Sequence, residues 1–164
     1  MIKLLLGIAI VSFGSYCGYI FAKKYRKRKL FFAQLKEFNE RFLSEVSYYR
    51  RPLGEFVSKY VYKGEFQIFL QNFFAEIEEL SQSEHRPMTF ADCEFLKSED
   101  KALMEDYFKM LGKGDSASQK TYFSAAKERL VKVYAEAESE YKKYGDLYIK
   151  LGFLCGLLIL ILMI

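Results

Sequence analysis

The residues able to do chemistry are few and badly spaced for it. His85 is the one histidine in 164 residues, and it lies in Ser83-Glu84-His85-Arg86-Pro87 with no second histidine or cysteine at ligand spacing. A structural zinc site takes four ligands and a catalytic one three plus an open position, so no metal site is expected. Cys93 with His85 is the one nucleophile–base pair the composition offers, and nothing in the spacing places the two together. A Ser-His-Asp set would need the same histidine, and no nucleophile elbow accompanies it. Neither a GxxxxGK[ST] phosphate loop nor a GxGxxG turn occurs; Lys113 follows Gly112, but no strand precedes it. The acids Glu76, Glu78 and Glu79, and the alternating Glu136, Glu138 and Glu140, fall on helix exteriors, where they read as solvated faces or as docking points for a partner's basic patch. The expectation is a protein that is not an enzyme, with no catalytic residue, no cofactor and no small-molecule substrate.

Charge is concentrated elsewhere. Lys23, Lys24, Arg26, Lys27, Arg28 and Lys29 put six cations into seven residues. They follow Leu4–Ala22, 19 residues without a charge, which is enough to span about 30 Å of hydrocarbon at about 1.5 Å per residue. Leu151–Ile164 is a second apolar run of 14 residues. It is short for a span, and Leu147, Tyr148 and Ile149 extend it if Lys150 snorkels to the interface; a shallow interfacial anchor is the alternative. No Ala-x-Ala-like site follows the first run and the strong charge comes after it, which reads as an uncleaved anchor rather than a signal peptide. A lipoprotein site at Cys17 is disfavoured by the bulky Tyr16 just before it. Gly14 and Gly18 form a small-xxx-small pair of the kind that lets a second helix approach closely.

Basic residues stay on the cytoplasmic side, so the polar middle is expected in the cytoplasm and both termini outside, with Lys23, Lys24, Arg26, Lys27, Arg28, Lys29 and Lys150 at the membrane interface. Eight of the 25 Lys and Arg flank the apolar ends, leaving 17 in residues 30–149 against all 21 acids. An acidic body gives no footing for nucleic acid. The layout divides into 1–22 (transmembrane helix), 23–29 (basic cluster), 30–146 (soluble body) and 147–164 (second transmembrane helix). Cys17 and Cys155 lie in the apolar runs and Cys93 has no partner in the body, so no disulfide framework is implied.

Periodicity in the body is helical throughout. Phe31, Leu35, Phe38, Phe42, Val46 and Tyr49 recur every three or four residues, and no Gly or Pro lies between Tyr19 and Arg51. Pro52 suits the opening of a short helix, which Gly64 breaks. Phe66, Phe69, Leu70, Phe73, Phe74, Ile77 and Leu80 mark a third helix. Thr89 is placed to cap a short helix through Lys97, and Ser98 another over 99–111. Ser116 with Gln119 makes a capping box for the last helix, whose stripe runs Phe123, Ala126, Leu130, Tyr134, Ala137, Tyr141, Tyr144, Tyr148, Leu151, interrupted at most near Gly145. The expected fold is all-α: an antiparallel bundle of about six helices, the first and last continuing into membrane spans. The stripe is expected to be bundle core; as a coiled-coil seam it would instead mark a generic membrane-tethered adaptor or organiser.

Taken together the chain resembles the stage III sporulation protein AB family. The resemblance rests on the first span and its basic cluster, on Glu45-Val46-Ser47-Tyr48-Tyr49-Arg50-Arg51-Pro52-Leu53, on Leu111-Gly112-Lys113-Gly114-Asp115 with Gln119, and on the Gly- and Leu-rich apolar end. The chain is richer in Phe and Tyr than that pattern. The resemblance implies a non-enzymatic platform subunit, similar to those of type II secretion machines, in the channel complex between mother cell and forespore. Its implied partners are the complex's other subunits and a stage III sporulation protein AA-like ATPase, which it would couple to the membrane. Glu45, Tyr48, Arg50, Arg51, Asp115 and Gln119 are the candidate partner face; the competing reading pairs Glu45 with Arg51 and makes Asp115 a helix cap.

Overall fold

The structure is a computed structural model, and it describes the backbone of all residues except 1, 49–55, 57–58, 81–89, 91–92, 112–115 and 164. It is all-helical, with no strand among the described residues. Helix α1 runs Ile2–Tyr48, α2 Gly64–Leu80, α3 Ser98–Met110 and α4 Ser116–Glu140; a π-helical segment, Tyr141–Gly145, then leads into α5, Asp146–Met163. Since α4, the π segment and α5 follow without a break, the described residues make four helical rods, not six. The short helix expected after Pro52 falls mostly outside the described residues. The one expected over 89–97 is replaced, where described, by two turns: Cys93 N–H donates to the Phe90 carbonyl and Leu96 N–H to the Cys93 carbonyl, both at 3.1 Å. Cys93, Phe95 and Leu96 are all buried, and three buried positions in four residues do not fit one face of a helix. The cap of α3 is also displaced from Ser98 to Lys97, whose backbone N–H is caught by Asp100 Oδ2 at 2.9 Å. Gly64 opens α2 at φ +62°, a conformation that costs glycine little.

The chain forms two compact units: Met1–Lys29 with Ala135–Ile164, and Leu30–Tyr134. The second is built on aromatic rings. Phe31, Phe32, Leu35 and Phe38, at most 1% exposed, form the inner stripe of α1. Phe31 meets Phe66, Phe69 and Phe95 at 5.3–5.8 Å between ring centroids. Phe38 meets Phe56, Tyr62, Phe66 and Phe108 at 5.3–6.1 Å. Phe42 packs on Phe123 of α4 at 4.8 Å. Most of these pairs are edge-to-face, the arrangement that ring quadrupoles favour.

A polar pair, Asn39 with Tyr107, lies within this apolar interior. Asn39 is wholly buried on α1. Its Nδ2 donates to the Phe123 carbonyl at 3.1 Å, and its Oδ1 accepts from Tyr107 OH at 3.0 Å. One amide therefore fixes α1 against both α3 and α4, and every atom involved is satisfied. The nearby segment 61–63 is tied down through its backbone, Tyr62 N–H to Gln67 Oε1 at 2.9 Å and Lys63 N–H to Gln34 Oε1 at 3.1 Å.

Two expectations follow. Tyr107→Phe strands the Asn39 oxygen and lowers unfolding free energy by about 1–3 kcal/mol; chemical denaturation followed by circular dichroism checks it, and adding Asn39→Leu costs less than the two single changes summed. Burial pushes Tyr62 up to about 12; burial and then Asp106, which accepts from Tyr122 OH at 2.8 Å, do the same for Tyr122; burial also raises Tyr107 well above its ordinary value. The folded state thus holds these protons past the ordinary value near 10. The stabilisation is whole below about pH 10 and is lost as pH rises through about 12. The share of tyrosinate absorbance lost on replacing Tyr62, Tyr107 and Tyr122 with Phe then appears together with loss of helix rather than ahead of it.

Candidate functional site: a glycine-packed hairpin and its basic collar

In the first unit, α1 and α5 run antiparallel with backbones nearly touching. A Cβ placed on Gly14 would sit 2.6 Å from the Gly152 carbonyl oxygen, and one on Gly18 would sit 2.4 Å from that of Tyr148. From the other side, a Cβ on Gly152 would lie 2.4 Å from the Gly14 oxygen and one on Gly156 2.8 Å from Val11 Cα. No larger residue fits at these crossings. The Gly14/Gly18 pair thus meets a matching Gly152-xxx-Gly156 pair, whose identical spacing was the signal available in the sequence.

The π segment sets which face of α5 arrives at α1. The stripe on α4 reaches Ala137, 1% exposed, but Leu151, two heptads further along the pattern, is 51% exposed. Gly152 faces α1 instead. A π turn accommodates an extra residue in its i→i+5 bonds, so the contact face moves on by one position. Gly145 lies at the end of this turn against the Tyr141 ring, where a Cβ would come within 2.9 Å.

Away from the contact the unit presents an apolar surface. Ile8, Phe13, Tyr16, Ile20 and Phe21 on α1, and Phe153, Leu154, Leu158 and Ile161 on α5, are exposed. Ala117–Leu162 is, among the described residues, the one helix long and apolar enough to cross a membrane, with mean hydropathy 2.0 over its most apolar window. At the body-side end, Tyr25 stacks on Tyr144 at 5.5 Å and on Tyr148 at 6.0 Å, and Phe21 joins Tyr148 at 5.8 Å.

The basic run divides in two. Arg28 turns inward, with its side chain 4% exposed, and meets Glu140 at 2.8 Å and Glu136 at 3.4 Å. Lys29 pairs with Glu138 at 3.1 Å and lies over the Tyr141 ring at 5.4 Å. The Lys29 ammonium, with Lys142 beyond it, holds the Glu138 carboxyl below the usual range. Lys23, Lys24, Arg26 and Lys150 are exposed and Lys27 is half-buried. The alternating acids 136, 138 and 140 are therefore partners of the chain's own cations.

The expected partner face lies in the second unit. Glu45 is buried and pairs with Lys59 and with Tyr60 OH, the latter at 3.0 Å. Tyr48 is the last residue of α1, and Gln119 is half-buried in the first turns of α4. Arg50, Arg51 and Asp115 lie outside the described residues, as does His85. No cluster of three or more His, Cys, Asp or Glu that could hold a metal ion occurs among the described residues.

Gly152→Val is expected to force α1 and α5 apart and to cost about 1–3 kcal/mol; thermal unfolding of the full chain in detergent measures it. Leu151→Val, one residue away on the exposed face, leaves the transition in place.

Neither the curated proteins nor the solved structures gave a match to this chain. The sequence model of stage III sporulation protein AB matches residues 3–164, essentially the whole length and including both the glycine-packed helices and the aromatic unit. The chain belongs to the stage III sporulation protein AB family.

Proposed function

We propose that this sporulation protein is a non-enzymatic platform subunit of the mother cell–forespore channel complex, anchored by two antiparallel spans and coupling a cytoplasmic secretion-type ATPase to the membrane. On this reading Leu4–Ala22 and the apolar length of α5 both cross the bilayer. Residues 30–146 form an antiparallel helical bundle on the cytoplasmic side, and both termini lie outside. The observation that carries it is family membership over residues 3–164. It is supported by an apolar exterior on both members of the α1–α5 pair and by cations gathered at one end of that pair, which orient it with the body inside. The rival reading, a tethered coiled-coil organiser, needs a free stripe on α4. Phe123, Leu130 and Ala137 are instead each at most 1% exposed within the single chain.

Two measurements test this. Deleting the gene in a spore-forming host with no second copy leaves vegetative growth normal and abolishes heat-resistant spores, with arrest after engulfment; normal spore counts would discard the sporulation-channel role. The full chain in detergent retains the host's stage III sporulation protein AA-like ATPase in a pull-down. Sporulation arrest without that association would keep the family role and remove the coupling.

A further inference from the structure

We infer that the α1–α5 pair binds anionic phospholipid at a stepped collar, with Lys23, Lys24 and Arg26 at one level and Lys150 nearly two helical turns deeper. The inference rests on the membrane reading above and adds the chemical identity and position of the lipid contact.

The step follows from the helix register. Gly14 lies against Gly152, and Gly18 against Tyr148 and Ile149. Lys150, between these crossings, is therefore level with residues 16–17 of α1. The first cation of α1 after its apolar run is Lys23. Six residues separate the two levels, about 9 Å along a helix. The apolar length the two helices share is that of residues 151–164, 14 residues, or about 21 Å against the roughly 30 Å of a bilayer's hydrocarbon. A flat membrane matched to α1 would hold the Lys150 ammonium well inside the apolar layer, where a charge is costly. A lysine stem recovers part of that depth by snorkelling. Local thinning, with a headgroup drawn down to α5, recovers the rest.

Charge selects which headgroup. Lys23, Lys24, Arg26 and Lys150 are exposed, and no carboxylate of the described residues holds any of them. Arg28 and Lys29 are different, because Glu136, Glu138 and Glu140 already hold them. The one acid near the lower level is the exposed Asp146, one turn before Lys150, and no ion pair joins the two among the described residues. Tyr144 and Tyr148 occupy the interval between the levels, and Tyr25 stacks on both from the level of Lys24 and Arg26; rings with one apolar and one polar end suit that zone. Phosphatidylglycerol meets these cations with a net negative charge; phosphatidylcholine does not.

The test is electron spin resonance on the full chain in phosphatidylcholine vesicles, comparing the protein-immobilised fraction of spin-labelled phosphatidylglycerol with that of spin-labelled phosphatidylcholine. The native chain prefers phosphatidylglycerol. Lys150→Gln lowers the preference about fivefold, the worth of one cation at an anionic surface. Lys23→Gln, Lys24→Gln and Arg26→Gln together remove most of the remainder. Arg28→Gln weakens the fold and leaves the preference of the folded fraction unchanged. Equal immobilisation of the two lipids overturns the inference, and so does a preference that Lys150→Gln leaves intact. Displacement of the labelled lipid by inorganic phosphate at constant ionic strength would identify a free-anion site and overturn it too. A chain that alkaline carbonate strips from the vesicles defeats the membrane reading and this inference together; a chain that stays inserted without lipid preference defeats this inference alone.

Discussion

Backbone meets backbone where Gly14 and Gly18 of α1 face Gly152 and Gly156 of α5, and the organisation of the first unit follows from that approach. In a membrane the hydrophobic effect does not drive one apolar helix against another, because lipid tails are as apolar as leucine. Close packing must supply the attraction, and only the absence of side chains brings the helix axes close enough. The same approach fixes the register that stacks Tyr25 on Tyr144 and Tyr148. It also brings Arg28 level with Glu136 and Glu140. A buried guanidinium deprived of its carboxylates would be strongly destabilising, so the ion pairs favour the same register as the glycines.

The second unit solves a different problem. Its interior is assembled from flat rings meeting edge to face, which fill space over few rotatable bonds. Such cores resist compression but do not by themselves select a single arrangement, because many ring packings are close in energy. Asn39 supplies selection: a wholly buried amide is tolerable only where both its ends are satisfied, and the arrangement joining Tyr107 OH to the Phe123 carbonyl does that.

Much of this was legible in the residues themselves. The apolar ends, the helical period of the α1 stripe, the small-residue pair in the first apolar run and an interruption near Gly145 are local patterns, and local patterns survive in a sequence read alone. What escaped depends on partners distant in the chain. Nothing about Asn39 announces Tyr107, 68 positions away. Arg28 reads as one more cation in a basic run until the acids near 140 are placed beside it. The segment 89–97 was expected to be helical because Thr89 is placed to cap it, yet three buried side chains in four residues ask for turns. Lys97 replaced Ser98 as the cap because Asp100, three residues on, accepts from the Lys97 backbone N–H. Of the six residues expected to meet a partner, Glu45 is held within the chain by Lys59 and Tyr60.

The π turn makes chain length itself a structural variable. Between Ala137, the last buried position of the α4 stripe, and Gly152, the first glycine of the crossing, the number of residues is an integer that sets a phase, because each residue advances a helix by about 100°. Substitutions within Tyr141–Gly145 change what a side chain touches. Loss or gain of one residue there would rotate everything beyond it by that angle and present Leu151 or Phe153 to α1 where a glycine is required. The segment should therefore accept many changes of letter and hardly any change of count. In that respect it behaves as a reading frame written into the backbone.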